Sequence, residues 1–311
     1  MTTAPEVPAA IRGLAHAAAA SAGVRVVEVD DHVALRQGCT LLERVWGRNA
    51  DGVPISVEML RSIAHADGAV TLAFPIDAAA ADPSAPVGVA ALILAGGTDT
   101  YSLIAAAAPG EANRGLGFAL KQRQRVWALE CGRTTMRWTF DPLMARNARF
   151  NLAKLGVEIA AYVPSFYGPM DDDINAGDEG DRLVARWQLA TAGMPVRGNE
   201  VGVAAGGSDR MPLRSNGIGD AAAASGDLIG PPAGAESPEP DLTGASVRAV
   251  GPDGEAAYLL GAGEAWCRVP VDVAALRRSD HDQAREWRAA TREHFTDALG
   301  RGLVVRSFTR S

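Results

Sequence analysis

The run Arg114-Gly115-Leu116-Gly117 carries the densest chemical signal in the chain. It falls between a stretch that reads as a strand and one that reads as a helix, an order that points several backbone N–H groups at one spot. Glycine lets an anion approach the backbone, and a helix N-terminus adds partial positive charge, so the chemistry on offer is the cradling of a phosphate. A plain tight turn explains a lone Gly-x-Gly equally well. A dinucleotide-binding fingerprint is excluded, because its third glycine and its ribose-binding acid are missing, and no Gly-Lys-Ser/Thr follows to make a nucleoside-triphosphate loop.

Other residues could move protons or hold a ligand. Asp141 follows a strand directly, where a carboxylate could accept a proton from an amine. As the residue before Pro142 it suits a helix N-cap just as well. Asn147 and Asn151, four apart, fall on one face of a helix and offer hydrogen bonds to a ligand or simply to water. Glu43 is a second candidate base, with a solvated helix face as its plainer reading. Asp171, Asp172 and Asp173 begin like a calcium loop, but Ala176 stands where the loop needs glycine and Arg182 where it needs glutamate. The five histidines (His16, His32, His65, His281, His294) show no metal-ligand spacing, and Cys39, Cys131 and Cys267 form no C-x-x-C pair. No metal is therefore expected, and the thiols read as buried and neutral.

These residues need elements to position them. Val24 to Val29 alternates as a strand, and Asp30 and Asp31 supply cap chemistry for a helix from about His32 to Trp46. Pro54 opens a second helix with Met59, Leu60 and Ile63 inward. Ala69 to Phe74, Val87 to Leu94 and Thr100 to Ala107 read as strands. The helix after Gly117 runs to about Cys131, and Gly132 is placed to end it in a left-handed conformation. Thr134 to Phe140 is a strand, a helix runs from Asp141-Pro142 to near Gly156, and Val157 to Tyr162 and Leu183 to Leu189 complete the sheet. The order is that of a mixed sheet with helices on both faces, an α/β (mixed α+β) fold.

Four regions are expected along the 311 residues. Residues 1–23 are an Ala-rich lead-in and 24–190 the main domain. Residues 191–245, rich in Gly, Ala, Ser, Pro and Asp, read as linker or insertion, since they hold too little apolar area to offset their ordering entropy. Residues 246–311 form an extension that packs on the first domain or on a partner subunit. In it an amphipathic helix, about Asp280 to Leu299, puts Trp287, Thr291 and Phe295 on one face.

The formal net charge of -7 argues against a nucleic-acid binder. No run of about 18 apolar residues is present to span a membrane. With no secretory pattern at the N-terminus, a cytoplasmic enzyme or binding protein is the expectation.

Around the glycines, Ala112-Asn-Arg114-Gly115-Leu-Gly117 followed by FALKQRQRVWALECG resembles motif A of the GNAT superfamily of acyl-CoA N-acyltransferases. WTFDPLMARNARFNLAKLG (Trp138 to Gly156) resembles its motif B. TFDPL, NARFNLAKLG, Tyr162…Phe166-Tyr167-Gly168, Gly180-Asp-Arg182 and the C-terminal EWRAATREHF…GLVV are similar to a bacterial subfamily of predicted acetyltransferases. The resemblance covers about residues 24–190 and, less fully, 264–308.

The resemblance implies a central mixed sheet with two splayed parallel strands, around Ser102–Ala106 and Met136–Phe140, holding the pantetheine of acetyl-CoA or another acyl-CoA. It implies cofactor contacts at Ala105, Ala106, Arg114, Gly115, Leu116, Gly117 and Phe118, with Asn147 and Asn151 as further candidates. A small amine or amino acid would attack the thioester directly, with a backbone N–H of the Ser102–Ala106 strand stabilising the oxyanion. Two positions depart from the family pattern. Ala112 replaces the first Gln/Arg of motif A, and Leu152 falls where a tyrosine often serves as general acid, so Tyr162 or Tyr167 would have to replace it. That loss also supports a second reading, a catalytically degenerate acyl-CoA sensor. A third, a scaffold using the C-terminal helix as a partner surface, rests on Trp287 and Phe295 alone. Arg137 or Arg146 could suit a succinyl-type donor, and the family's habit of pairing is compatible with a homodimer.

Overall fold

In the computed structural model, alternating burial along the chain sorts into thirteen strands and seven α-helices among the described residues. These are residues 6–48, 52–77, 82–111, 114–168, 170, 175, 178–190, 209–215, 246–260, 264–305 and 308–310; for 209–215, 264, 309 and 310 the backbone alone is described. The chain divides into two units, one holding Met1–Trp138 and Trp187–Ala192, the other Thr139–Met170, Asn175–Arg186 and Gly193–Ser311.

The first unit starts with α1 (Ala9–Ser21), so part of the Ala-rich lead-in is helical, and β1 (Val24–Glu28) follows. Next, α2 (His32–Trp46) begins at Asp31, whose carboxylate accepts from the N–H groups of Val33 and Ala34. Helix α3 (Val57–His65) is capped by Ser56 accepting from Met59 N. Leu60 and Ile63 are buried as expected, but Met59 is exposed, because it stands about 100° round the helix from Leu60, at the edge of the buried face. Strands β2 (Ala69–Pro75), β3 (Gly88–Leu94) and β4 (Asp99–Ala107) form an antiparallel meander with β1. Helix α4 (Leu116–Glu130) packs with α1 over Val24, Ala73 and Ala90, while Leu35, Leu41 and Leu42 of α2 pack with Val70, Leu72, Val89 and Ala91. Gly132, at φ 69°, follows α4 as its left-handed stop. Strand β5 (Thr135–Phe140) pairs parallel to β4.

The second unit holds α5 (Ala145–Arg149), which widens into a π-turn over Phe150–Lys154, then β6 (Glu158–Val163) and most of β7 (Arg182–Gln188), an antiparallel pair. The hydrogen-bonded order of the mixed sheet is β1-β2-β3-β4-β5-β7-β6. The second unit has its own sheet. It is built from β8 (Asp209–Ser215), β9 (Ser246–Val250), β10 (Ala256–Leu260), β11 (Glu264–Val269), β12 (Leu303–Val305) and β13 (Thr309–Arg310). The order is β12-β8-β11-β10-β9, with β13 also on β8. Strand β8 falls inside the stretch expected to be linker, because β11 supplies a ladder for it.

Helix α6 (Val273–Ser279) was not anticipated; α7 (His281–Gly300) was, and Trp287, Thr291 and Phe295 are buried on it. Of the three thiols, Cys39 and Cys267 are buried, whereas Cys131 is exposed at the end of α4.

Candidate functional site

Strand β4 is where the sheet opens. It pairs with β3 along its length, but its parallel ladder with β5 runs over three residue pairs among the described residues, from Asp99↔Thr135 to Tyr101↔Arg137. Beyond Tyr101 the backbone of β4 on that side has no ladder partner among the described residues, and an extended, amide-bearing molecule can pair there as another strand would. The opening coincides with a bulge. Ser102 pairs with Leu92 and Ile104 with Ala91, so Leu103 is an extra residue. The bulge changes which side chains share a face: Ser102 meets α4, whereas Ile104 and Ala106 pack on the α2 side.

The end of β4 leads to the glycine loop. Gly115 is the N-cap of α4 at φ 83° and ψ 0°, a left-handed conformation that favours glycine, and no side chain among the described residues caps the helix. Leu116 is buried and would meet a Cβ placed on Gly88 at 3.1 Å, so β3 seats the first turn of α4 closely. Arg114 and Gly117 are exposed, and Arg114 pairs with Glu111 at 2.8 Å. Phe118 and Ala105 stand on the same stretch, half-buried and exposed respectively. Ala112 lies outside the described residues. Among the described residues, backbone donors of an uncapped helix N-terminus and an open stretch of strand edge lie near one another in the sequence, an arrangement that can receive an anion and an extended, amide-bearing molecule.

The side chains beneath this opening were missed from sequence. Lys121, Gln122, Gln124 and Arg125 are all buried on α4. Lys121 Nζ donates to Ser102 Oγ at 2.8 Å and lies 3.9 Å from the centroid of the Trp138 ring. Burial, with no carboxylate to oppose it among the described residues, pushes this ammonium down to about 7. Arg125 donates to Leu189 O at 2.8 Å and lies over the Trp187 ring; burial lowers it to about 10. The run K-Q-R-Q-R is polar throughout, and the one signal that could have marked it for burial is its position between apolar stretches on a helix that the sheet must cover. A hollow of about 870 Å³ between α1, β1 and α4 is lined by residues such as Arg12, His16, Ala119 and Arg123, and Arg114 and the two glycines are not among its lining residues.

In the second unit Asp141 sits in a buried group of charges. Its carboxylate accepts from Arg277 at 2.7 Å and from Arg288 at 2.8 and 2.9 Å, and both guanidiniums also reach Asp178. Burial alone would raise Asp141, but the charges and hydrogen bonds of Arg288, then Arg277, outweigh it and hold the carboxyl well below the usual carboxylate range. Such a paired anion is a weak proton acceptor. Nor does it cap α5, which begins at Ala145; it accepts instead from Leu143 N in the preceding turn.

Tyr162 donates to Asp181 and stacks on Phe295 at 5.4 Å; burial and then Asp181 raise its hydroxyl far above the ordinary phenol value. Tyr167 is half-exposed, shares a hydrogen bond of 3.1 Å with Thr139 Oγ1 and carries Arg182 over its ring. Asn147 is exposed and Asn151 buried, because the helix widens into the π-turn between them and rotates the second side chain away. Leu152 is buried. Glu43 is half-buried on α2 and pairs with Arg48. The Asp171–Asp173 motif lies outside the described residues.

No protein-family model matches the chain, and no curated protein does. Among solved structures it is similar to the ribosomal-protein-S18-alanine N-acetyltransferase of Escherichia coli, at 13% identity and a TM-score of 0.42, over 57% of this chain and 98% of that one. A GNAT-family acetyltransferase of Streptococcus pneumoniae gives 13% and 0.42, over 53% and 99%. The IAA acetyltransferase of Bacillus cereus gives 13% and 0.39, over 53% and 99%.

Proposed function

We propose that the chain is an acyl-CoA-dependent N-acyltransferase, with acetyl-CoA as the default donor and a small amine or amino acid as acceptor. One observation carries the reading: the β4–β5 ladder stops after three pairs, on a strand that leads straight to the uncapped left-handed Gly115. The thioester supplies an activated acyl carbon and a thiolate leaving group. The chain's own part is mainly positioning. First-turn amides of α4 at Leu116, Gly117 and Phe118, with the exposed Arg114, suit a pyrophosphate. The open edge of β4 at Ala105 and Ala106 suits the amides of a pantetheine arm, and a bulge-freed N–H near Leu103 suits a developing oxyanion.

For proton transfer, Tyr167 is the better candidate, since its hydroxyl stands on an exposed side chain whereas Asp141 and Tyr162 are committed to charged partners. Asn147 and Asn151 remain candidate contacts by resemblance alone.

The test is a thermal-shift series with CoA, acetyl-CoA, succinyl-CoA and longer acyl-CoAs. At about 100 times the dissociation constant, binding adds roughly 2.7 kcal/mol and raises Tm by a few degrees. No shift with any of them overturns the reading. Leu152, buried where the family's acid often stands, favours a second reading, an acyl-CoA sensor without turnover. Release of free thiol from acetyl-CoA in a panel of amines decides between the two.

A further inference from the structure

The buried polar group on α4 is a set of donors short of an acceptor. Lys121 spends one N–H on Ser102 Oγ, and Ser102 in turn donates to Gln124 Oε1 at 3.0 Å. Gln124 is 0% exposed, and its Nε2 has no partner. Among the described residues no carboxylate pairs with Lys121. The buried ammonium and the side-chain oxygen of Gln124 therefore meet at one serine, and the amide NH₂ beside that oxygen is left without an acceptor among the described residues, although buried donors are ordinarily matched.

Their place in the fold gives the group a meaning. The last β4–β5 pair is Tyr101↔Arg137, and the next residue on each strand, Ser102 and Trp138, is what Lys121 touches. Lys121 thus stands at the vertex of the opening. From Ala107 back to Ser102 the strand spans about 16 Å at ~3.3 Å per residue, comparable to an extended pantetheine arm. An arm anchored at the N-terminus of α4 and laid along β4 delivers its acyl end to the vertex.

We propose that Lys121 and Gln124 form a subsite for a carboxylate at the far end of the acyl chain, so that the preferred donor is a short dicarboxylyl-CoA rather than acetyl-CoA. This rests on the acyl-CoA reading. One carboxylate oxygen takes a hydrogen from the Lys121 ammonium and the other a hydrogen from Gln124 Nε2. The arginines offered by the sequence are placed differently: Arg137 pairs with Asp99, and Arg146 is exposed in the second unit.

The experiment is calorimetric titration of the full chain, without any amine, against CoA, acetyl-CoA, malonyl-CoA and succinyl-CoA. The wild type is expected to bind malonyl-CoA or succinyl-CoA about tenfold more tightly than acetyl-CoA, the gain typical of a charge-assisted contact. Lys121→Met is expected to lose that preference and to keep CoA and acetyl-CoA within about twofold. Wild type that binds acetyl-CoA as tightly as the dicarboxylyl forms overturns the subsite, as does a Lys121→Met variant that keeps the preference. Should that variant not fold, the wild-type ranking and Gln124→Leu, expected to weaken only the dicarboxylyl forms, decide. Absence of binding by every CoA species overturns the acyl-CoA reading itself, a result distinct from an acetyl-CoA complex without carboxylate preference.

Discussion

Lys121 and Ser102 are joined across α4 and β4 by a hydrogen bond of 2.8 Å, inside a layer where the ammonium meets a tryptophan face and a hydroxyl but no carboxylate. The pair ties α4 to β4 at the residue where the sheet opens. Its energetic consequence is a penalty on the charged form.

That penalty sets a pH dependence. Lys121 falls from 10.5 to about 7 on folding, so between these values the unfolded chain binds a proton the folded chain does not, and stability rises with pH. Below about 7 both states are protonated and the whole penalty is present. Lys121→Met should therefore be more stable than wild type by a few kcal/mol at pH 6, with the gap closing as pH approaches 10. Urea unfolding of both proteins at pH 6, 8 and 9.5 measures it, and a gap independent of pH would contradict the assignment.

Gly115 should be sensitive to any side chain for a reason unrelated to space. A Cβ there would meet only Ala22, at 3.9 Å, but φ is 83°. Gly115→Ala is expected to cost about 1–2 kcal/mol and Gly115→Asn less, since asparagine tolerates the left-handed region. Denaturant midpoints of the three proteins give the order; equal losses for Ala and Asn would point to crowding instead.

Much of the first unit was legible because local signals agreed. Asp31, the spacing of Leu35, Leu41 and Leu42, and the length to Trp46 gave α2 its limits, and Gly132 marked the end of α4. The π-turn was not legible, since residues 141–156 carry an unbroken helical pattern whose widening depends on packing. The bulge at Leu103 leaves no mark on an Ala-rich strand. Asp141 looked available because its partners are 136 and 147 residues away, a separation no spacing argument reaches. Lys121 was not singled out, for a similar reason: its burial is decided by β4 and β5, not by its neighbours in the chain.

The buried charges around Asp141 should act as a unit. Removing one member strands another in a medium that solvates it poorly, so Asp141→Asn or Arg288→Met should cost about 3–5 kcal/mol. Glu158→Gln, which breaks an exposed pair with Arg186, should cost no more than about 1 kcal/mol. Asp141 also has a folded value well below its unfolded 3.8, so its contribution is present above pH 3.8 and is lost as pH falls toward the folded value. An acid titration of wild type and Asp141→Asn should show the two stabilities converging below about pH 4.

The two tyrosines should separate by what each loses. Tyr162 gives its proton to Asp181, an anion also held by Arg292 and by Ser165 N at 2.8 Å, so Tyr162→Phe leaves that carboxylate satisfied and removes one charge-assisted bond. The expected effect is a stability loss of about 1–3 kcal/mol. Among the described residues Tyr167 meets the Thr139 hydroxyl, the guanidinium of Arg182 over its ring and the Phe166 ring, and half of its surface is open. If its hydroxyl protonates the departing thiolate, Tyr167→Phe should lower kcat about 10²-fold, the lower end of general acid catalysis, because a thiolate leaves readily without help. KM for the acyl-CoA should stay within about twofold if the phosphates bind at the N-terminus of α4 as proposed, since Tyr167 lies outside that contact. Thiol-release kinetics with both variants, read beside their denaturant midpoints, make the comparison. A Tyr167→Phe enzyme with wild-type kcat would remove the tyrosine from the reaction and leave solvent to protonate the thiolate.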